Sequence, residues 1–393
     1  IELYLQKKSE NEGWERQING LSNNEKANLL LEKHTFKELL ADVEQRNLQN
    51  NIVGLEASRL FARSEINMGV DAFRDSLYAM LKRNTFLNIK FENMLDTLGE
   101  MSRTDLYSYL KEWEQLTPLP FYSIGEPELT KVVNKGGEEF FVLKVLVSNN
   151  SDYDGIIQMN VLQNGWWYQP MEDPRARKKV EIAAHTSKEF VSVWEEQIRD
   201  VEINTMVSGN LPYMIRQSIG NVKQERNKIV KDTIYTLPES SLEMPGEVIV
   251  DNEDSTLFVL STPAVVGLLP KWLDKVEDTS FKYSGISWWR APLQWTATTN
   301  AKYYGKYIRS AYVIKSGDGS QTATWKIPVP EAGQYELYYH VFKDDELRWN
   351  DRLQGEYHFR VAYDSEMEDA YINLRKANEG WEQLGTYYFS ADT

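Results

Sequence analysis

Over residues 1–116 apolar side chains recur at helical spacing, as in Leu55, Leu60 and Phe61, then Phe73, Leu77, Met80 and Leu81. That period places them on one face of a helix that must bury it. No proline interrupts the stretch before Pro118. SRTDLYSYLKEWEQL at 102–116 supplies a Ser or Thr as N-cap candidate, then Leu106, Leu110 and Trp113 on one side. These helices are expected to pack as antiparallel pairs or a small solenoid, with the apolar stripe as core.

At TPLPFYSIGEPEL (117–129) two closely spaced prolines end helical character, and the pattern turns to alternation. FFVLKVLVSNN (140–150), GIIQMNVLQNG (155–165), KKVEIAAH (178–185) and KEFVSVW (188–194) read as strands between Asn, Asp and Gly turns. A β-sandwich is predicted over 117–222, followed by a polar linker over 223–246. Alternation returns in ATWKIPVPEAGQYELYYHVF (323–342), YHFRVAY (357–363), EDAYINL (368–374) and WEQLGTYYFS (381–390), which predicts a second sandwich over 247–393. The expected fold class is a multidomain α + β chain: an N-terminal helical region (1–116) followed by two antiparallel β-sandwich domains.

NEGWE occurs at 11–15 and again at 378–382. The first copy lies in helix-forming sequence and the second between two strands. A true repeat keeps its period over a whole supersecondary unit, so the two are coincidental.

Composition narrows the partners. A net charge of −15 argues against a surface for nucleic acid, which needs clustered Lys and Arg. The short basic run Arg175, Arg177, Lys178, Lys179 is expected at a solvated strand entrance. With no cysteine, disulfides and thiolate chemistry are excluded. The most apolar stretch, 257–270, is too short and too proline-rich to span a membrane. The chain opens on Ile1 without a signal peptide, and is expected to be a fragment of a longer protein.

Trp113, then Leu119, Pro120 and Phe121, and a Val-rich strand ending Ser148-Asn149-Asn150 follow the helical stretch 62–98. In this order they resemble the C-terminal side of the M1 zinc aminopeptidases, over about residues 52–215. The resemblance implies helices that cap a cleft and a sandwich behind them. The family's zinc site needs H-E-x-x-H on one helix. The four histidines here, His34, His185, His340 and His358, have no such spacing. No cofactor is therefore expected in this chain, and zinc only if a catalytic domain lies upstream.

VDNEDSTLF (250–258), YYGKYIRSA (303–311), ATWKIPVPEAGQYELYYHV (323–341) and GWEQLGTYYF (380–389) appear in the order of another family. They resemble the golvesin C-terminal and xanthan-lyase carbohydrate-binding-like domains. That implies a jelly-roll-like sandwich and, in some relatives, adherence to polysaccharide.

Trp288, Trp289 and Trp295 in SWWRAPLQW are the ligand-binding candidates, since flat apolar rings stack on sugars. Core packing is the competing reading, and adjacent strand positions point to opposite faces. DNED (251–254) has the acid density of a calcium loop, but a strand-end turn bonding its own backbone is the reading adopted. KDDE (343–346) is read as a hairpin loop, not a glycosidase acid–base pair. No catalytic residue is identified.

The expected function is the non-catalytic C-terminal part of an M1-metallopeptidase-like cell-envelope protein. Its helices would cap a cleft, and its terminal module would adhere to a polysaccharide or an envelope protein. The alternatives are an architectural protein-interaction module and, with least support, a glycan-active enzyme. The expected location is extracytoplasmic.

Overall fold

The computed structural model describes residues 12–85, 87–162, 173–226, 230–240, 242, 246–261, 281–286, 291–343 and 355–391. Seven helices open it: α1 (Glu12–Asn19), α2 (Asn23–Leu31), α3 (Phe36–Ala41), α4 (Gln49–Met68), α5 (Val70–Arg83), α6 (Phe91–Ser102) and α7 (Leu106–Glu112). Capping boxes start two of them. The Ser22 hydroxyl accepts from the Glu25 N–H while Glu25 accepts from the Ser22 N–H, and Thr35 and Glu38 repeat the exchange. Helix α7 is capped by Asp105, whose carboxylate accepts from Tyr107 and Ser108. The Ser and Thr of the sequence reading stand outside: the Ser102 hydroxyl instead donates to the Leu98 carbonyl at the end of α6.

Ten strands follow: β1 (Tyr122–Ile124), β2 (Glu128–Val133), β3 (Glu139–Asn149), β4 (Gly155–Leu162), β5 (Arg177–Ile182), β6 (Thr186–Trp194), β7 (Asp200–Asn204), β8 (Met214–Ser218), β9 (Val222–Arg226) and β10 (Thr233–Pro238). One sheet runs β10-β6-β3-β2-β9, with β1 also on β3; the other runs β5-β4-β7-β8. Leu143, Val145, Val147 and Phe190 from the first meet Ile157, Met159, Val161 and Ile203 from the second in one core. These residues alternate along their strands, as half-buried sheets require. Part of the stretch expected as linker is paired into the sheet, with Thr233–Pro238 laid antiparallel along β6.

Strand β4 is buried on both sides, and at its start helix α4 lies against it, with Ala62 packed on Ile156 and Met206. That junction carries enclosed charge. Lys179 Nζ makes a short ion pair with Glu65, their side chains 9% and 2% exposed. Arg63 lies 3.4 Å over the Tyr109 ring, and Glu56 accepts the Trp113 indole N–H at 3.0 Å. The basic run is thus not uniformly solvated: Arg175 pairs outward with Asp173, while Lys179 turns inward to satisfy a buried carboxylate. A small cavity beside Arg59, Arg63, Asp154 and Gly155 has room for little more than a water molecule.

The C-terminal strands are β11 (Phe258–Ser261), β12 (Thr296–Thr299), β13 (Ser310–Val313), β14 (Thr322–Trp325), β15 (Gly333–Val341), β16 (Glu356–Tyr363), β17 (Glu366–Asn373) and β18 (Gly380–Phe389). Among the described residues they pair only two by two, β11–β14, β12–β13, β15–β18 and β16–β17, all antiparallel. Among the described residues, the region expected as a second sandwich forms several small antiparallel sheets. Strands β11 to β14 have four residues each, and Pro328 and Pro330 just after β14 cannot extend a ladder. The longer pairs β15–β18 and β16–β17 share cores, one of Val361, Tyr387 and Phe389 and one of Val341, Ile372 and Ala377.

Three parts of the chain fuse around Leu21, Leu211, Tyr283 and Ala297. Leu211 forms a bridge with Ile308, its N–H donating to the Tyr307 carbonyl at 3.0 Å and its carbonyl accepting from the Arg309 N–H. The Thr299 hydroxyl donates to the Gly20 carbonyl at 3.1 Å. The C-terminal sheets are thereby joined backbone to backbone to the segment after β7, and through the Thr299 side chain to the helical region.

The two NEGWE segments are unrelated in structure. Residues 12–15 begin helix α1, whereas 378 and 379 lead into β18 and 380–382 are its first residues.

Candidate functional site

Strand β15 alternates strictly. Tyr335, Leu337, Tyr339 and Val341 face the cores, which sends Gln334, Glu336, Tyr338 and His340 outward. Their partners on β18 are Tyr388, Thr386, Gln383 and Trp381. These four do not share one parity, because the ladder shifts register between Leu337 and Tyr338. Leu384 is the extra residue of a β-bulge, and it turns Trp381 and Gln383 to the side already occupied by Thr386 and Tyr388. Gly385 is required beside it: a Cβ there would lie 2.6 Å from the Tyr387 hydroxyl.

The result is an exposed face of alternating rings and hydrogen-bonding groups. Trp381 is 50% exposed, Tyr388 53% and Tyr338 42%. The Tyr338 hydroxyl donates to Glu336 at 2.6 Å, and this bond raises its pKa, so the phenol stays protonated. At one end Tyr304, His340 and Trp381 form a triangle of rings with centroids 4.8–5.4 Å apart. Tyr304 is presented by a tight loop. A Cβ at Gly305 would lie 2.0 Å from the Ile308 carbonyl oxygen, and Arg309 spans the loop by donating to the Ala301 carbonyl at 2.7 Å. Burial draws the Arg309 pKa down to about 10. Burial, helped by the Arg309 charge, also lowers the pKa of His340, which leaves that imidazole neutral at pH 7.

From the His340–Trp381 pair to the Gln334–Tyr388 pair there are six residue steps, roughly 20 Å of strand. Ring faces of this kind cover apolar C–H surface, and amide, carboxylate and hydroxyl groups beside them exchange hydrogen bonds with a polyhydroxylated ligand.

Trp288 and Trp289 lie outside the described residues. Trp295 stands just before β12, half-buried, with its indole N–H enclosed and unpartnered. The DNED acids are engaged within the fold. Asp251 accepts from the Glu253 N–H, and Asp254 from Thr256. The Glu253 carboxylate accepts from Tyr283, Ser310 and Lys282. Burial raises the Asp251 pKa. In KDDE, Asp344, Asp345 and Glu346 lie outside the described residues. The four histidines sit on separate elements, and among the described residues no group of three or more His, Cys, Asp or Glu is arranged to hold a metal ion. Likewise, no helix among them is long and apolar enough to cross a membrane.

All eight outward residues fall within a single stretch of recognisable sequence. Residues 288–393 match the family model of the golvesin C-terminal domain. The face of β15 and β18 lies wholly inside this golvesin-like region, whereas the DNED turn, the sandwich and the helices precede it. No curated protein matches the chain, and the comparisons give no support to the peptidase resemblance of residues 52–215.

Tyr338, Tyr388 and the two glutamines escaped the sequence reading. Alternation in β15 was the available signal for Tyr338. None existed for the bulge that gathers the β18 residues onto the same side.

Proposed function

We propose that the golvesin-like region is a non-catalytic adhesion module that holds a glycan on the outer face of β15 and β18. The observation that carries this reading is the row of Trp381, Tyr338 and Tyr388, half-exposed on one side of a ladder and interleaved with Gln334, Glu336, Gln383 and Thr386. Retention on insoluble polysaccharides tests it. Trp381→Ala and Tyr388→Ala should each weaken binding about tenfold, the factor given by ~1.4 kcal/mol of lost stacking. Trp288, Trp289 and Trp295 belong in the same series as a second aromatic set. Unchanged retention in the Trp381 and Tyr388 variants discards the face.

In the wider reading the chain works at the cell envelope, its helices and sandwich forming walls of a metallopeptidase-like protein. The order of Trp113, Leu119, Pro120 and Phe121 supports that part. An upstream coding sequence without H-E-x-x-H would remove it. A protein-interaction role is favoured by another observation: Leu87 is 66% and Phe91 43% exposed on the helical region.

A further inference from the structure

We infer that the face of β15 and β18 selects an uncharged, extended polysaccharide strand over an acidic one. The inference rests on the adhesion reading above and adds the chemical class of the ligand.

Charge is the first argument. Of the eight outward residues, Gln334, Glu336, Tyr338, His340, Trp381, Gln383, Thr386 and Tyr388, none is Lys or Arg. Glu336 is the one acid among them, and the Tyr338 hydroxyl holds it near the middle of the row. A sugar carboxylate or sulfate laid on the rings would face this carboxylate with no cation among these eight residues to offset it. Arg309 is directed at the Ala301 carbonyl, Lys306 lies over the Tyr307 ring, and on the neighbouring ladder Arg360 and His358 both face Asp369.

Shape is the second argument. The rings stand at both ends and in the middle of a strip two strands wide, so a ligand must be extended along the strands to reach Trp381 and Tyr388 together. The hydrogen-bonding side chains between them, two primary amides, a hydroxyl and a carboxylate, match neutral sugar hydroxyls in both donor and acceptor character.

Affinity electrophoresis of the full chain in gels with matched polymers tests the selection. Hydroxyethylcellulose against carboxymethylcellulose, and methyl-esterified against de-esterified pectin, vary charge on a common backbone. The uncharged member of a pair should retard the protein about tenfold more strongly at low salt, and added salt should narrow the gap. Glu336→Gln should narrow the gap between the acidic and the neutral member of each pair, with an unchanged melting temperature as the folding control. Equal or tighter binding of the acidic polymers overturns the selection and leaves adhesion standing, as does acidic binding that Arg309→Met abolishes. Failure to bind any of the four polymers, with Trp381→Ala indistinguishable from wild type, overturns both.

Discussion

Gly20 and Gly285 cross so closely that neither has room for a side chain. A Cβ on Gly20 would lie 2.2 Å from the carbonyl carbon of Ser284, and one on Gly285 would lie 2.2 Å from the carbonyl oxygen of Ile18. The obstructing atoms are backbone, so no rotamer change relieves the clash. Gly20 also sits at φ +80°, where an L side chain is strained. Gly285→Ala is expected to destabilise the chain by about 1–3 kcal/mol or more. The loss should be read as a lower melting temperature and as proteolysis between the helical and C-terminal regions. Wild-type resistance in this variant would mean the contact is dispensable.

The bulge on β18 makes a second prediction. Gly385→Val pushes branched carbon into the Tyr387 ring and should cost about 1–3 kcal/mol. Deleting Leu384 is more informative, because it restores parity and turns Trp381 and Gln383 towards the core. Glycan retention should then fall even at temperatures where the protein stays folded by circular dichroism.

The ion pair beneath helix α4 predicts non-additive mutations. Lys179→Met alone takes the ammonium away from the buried Glu65 carboxylate, a loss of about 3–5 kcal/mol. Adding Glu65→Leu should recover most of it, since an apolar pair of similar volume carries no desolvation penalty. Chemical denaturation of the two single variants and the double variant measures the coupling.

His185 supplies a pH dependence. Its Nε2 meets Asp152 at 2.8 Å and its Nδ1 meets Glu239 at 2.7 Å, which clasps the exit of β10 to the turn after β3. The hydrogen bonds to Asp152 and Glu239 raise its pKa above the ordinary 6.5. A raised folded value means the clasp contributes fully below the unfolded value and is lost as pH climbs through the folded one. Because the ring is exposed, salt weakens the effect. His185→Asn keeps a residue that tolerates the left-handed backbone at φ 53°, and so isolates the charge. The melting-temperature gap between wild type and variant should be wider near pH 5.5 than near pH 8.5. A gap constant across that range would reject the clasp.

Much of the fold was legible where one periodicity governed one element. The strands around Leu143–Val147 and Phe190–Trp194 follow alternation, and the helices before Pro118 follow their apolar stripe. What could not be read depends on contacts far apart in the chain. Lys179 looks like part of a solvated basic run until α4 brings Glu65 over it. The site shows the same limit. Trp381 shares odd numbering with Tyr387 and Phe389, so simple alternation would bury it beside them. One additional backbone residue reverses that, and no local sequence signal announces it.

The backbone-level junction among the three parts also bears on mechanics. If the distal strip grips an anchored fibre, tension there has a path through the Leu211–Ile308 bridge and the Gly20–Gly285 crossing to the helices. Pulling would strain two sets of short-range backbone contacts in shear, and an attached protein would be held at a set angle to its anchorage.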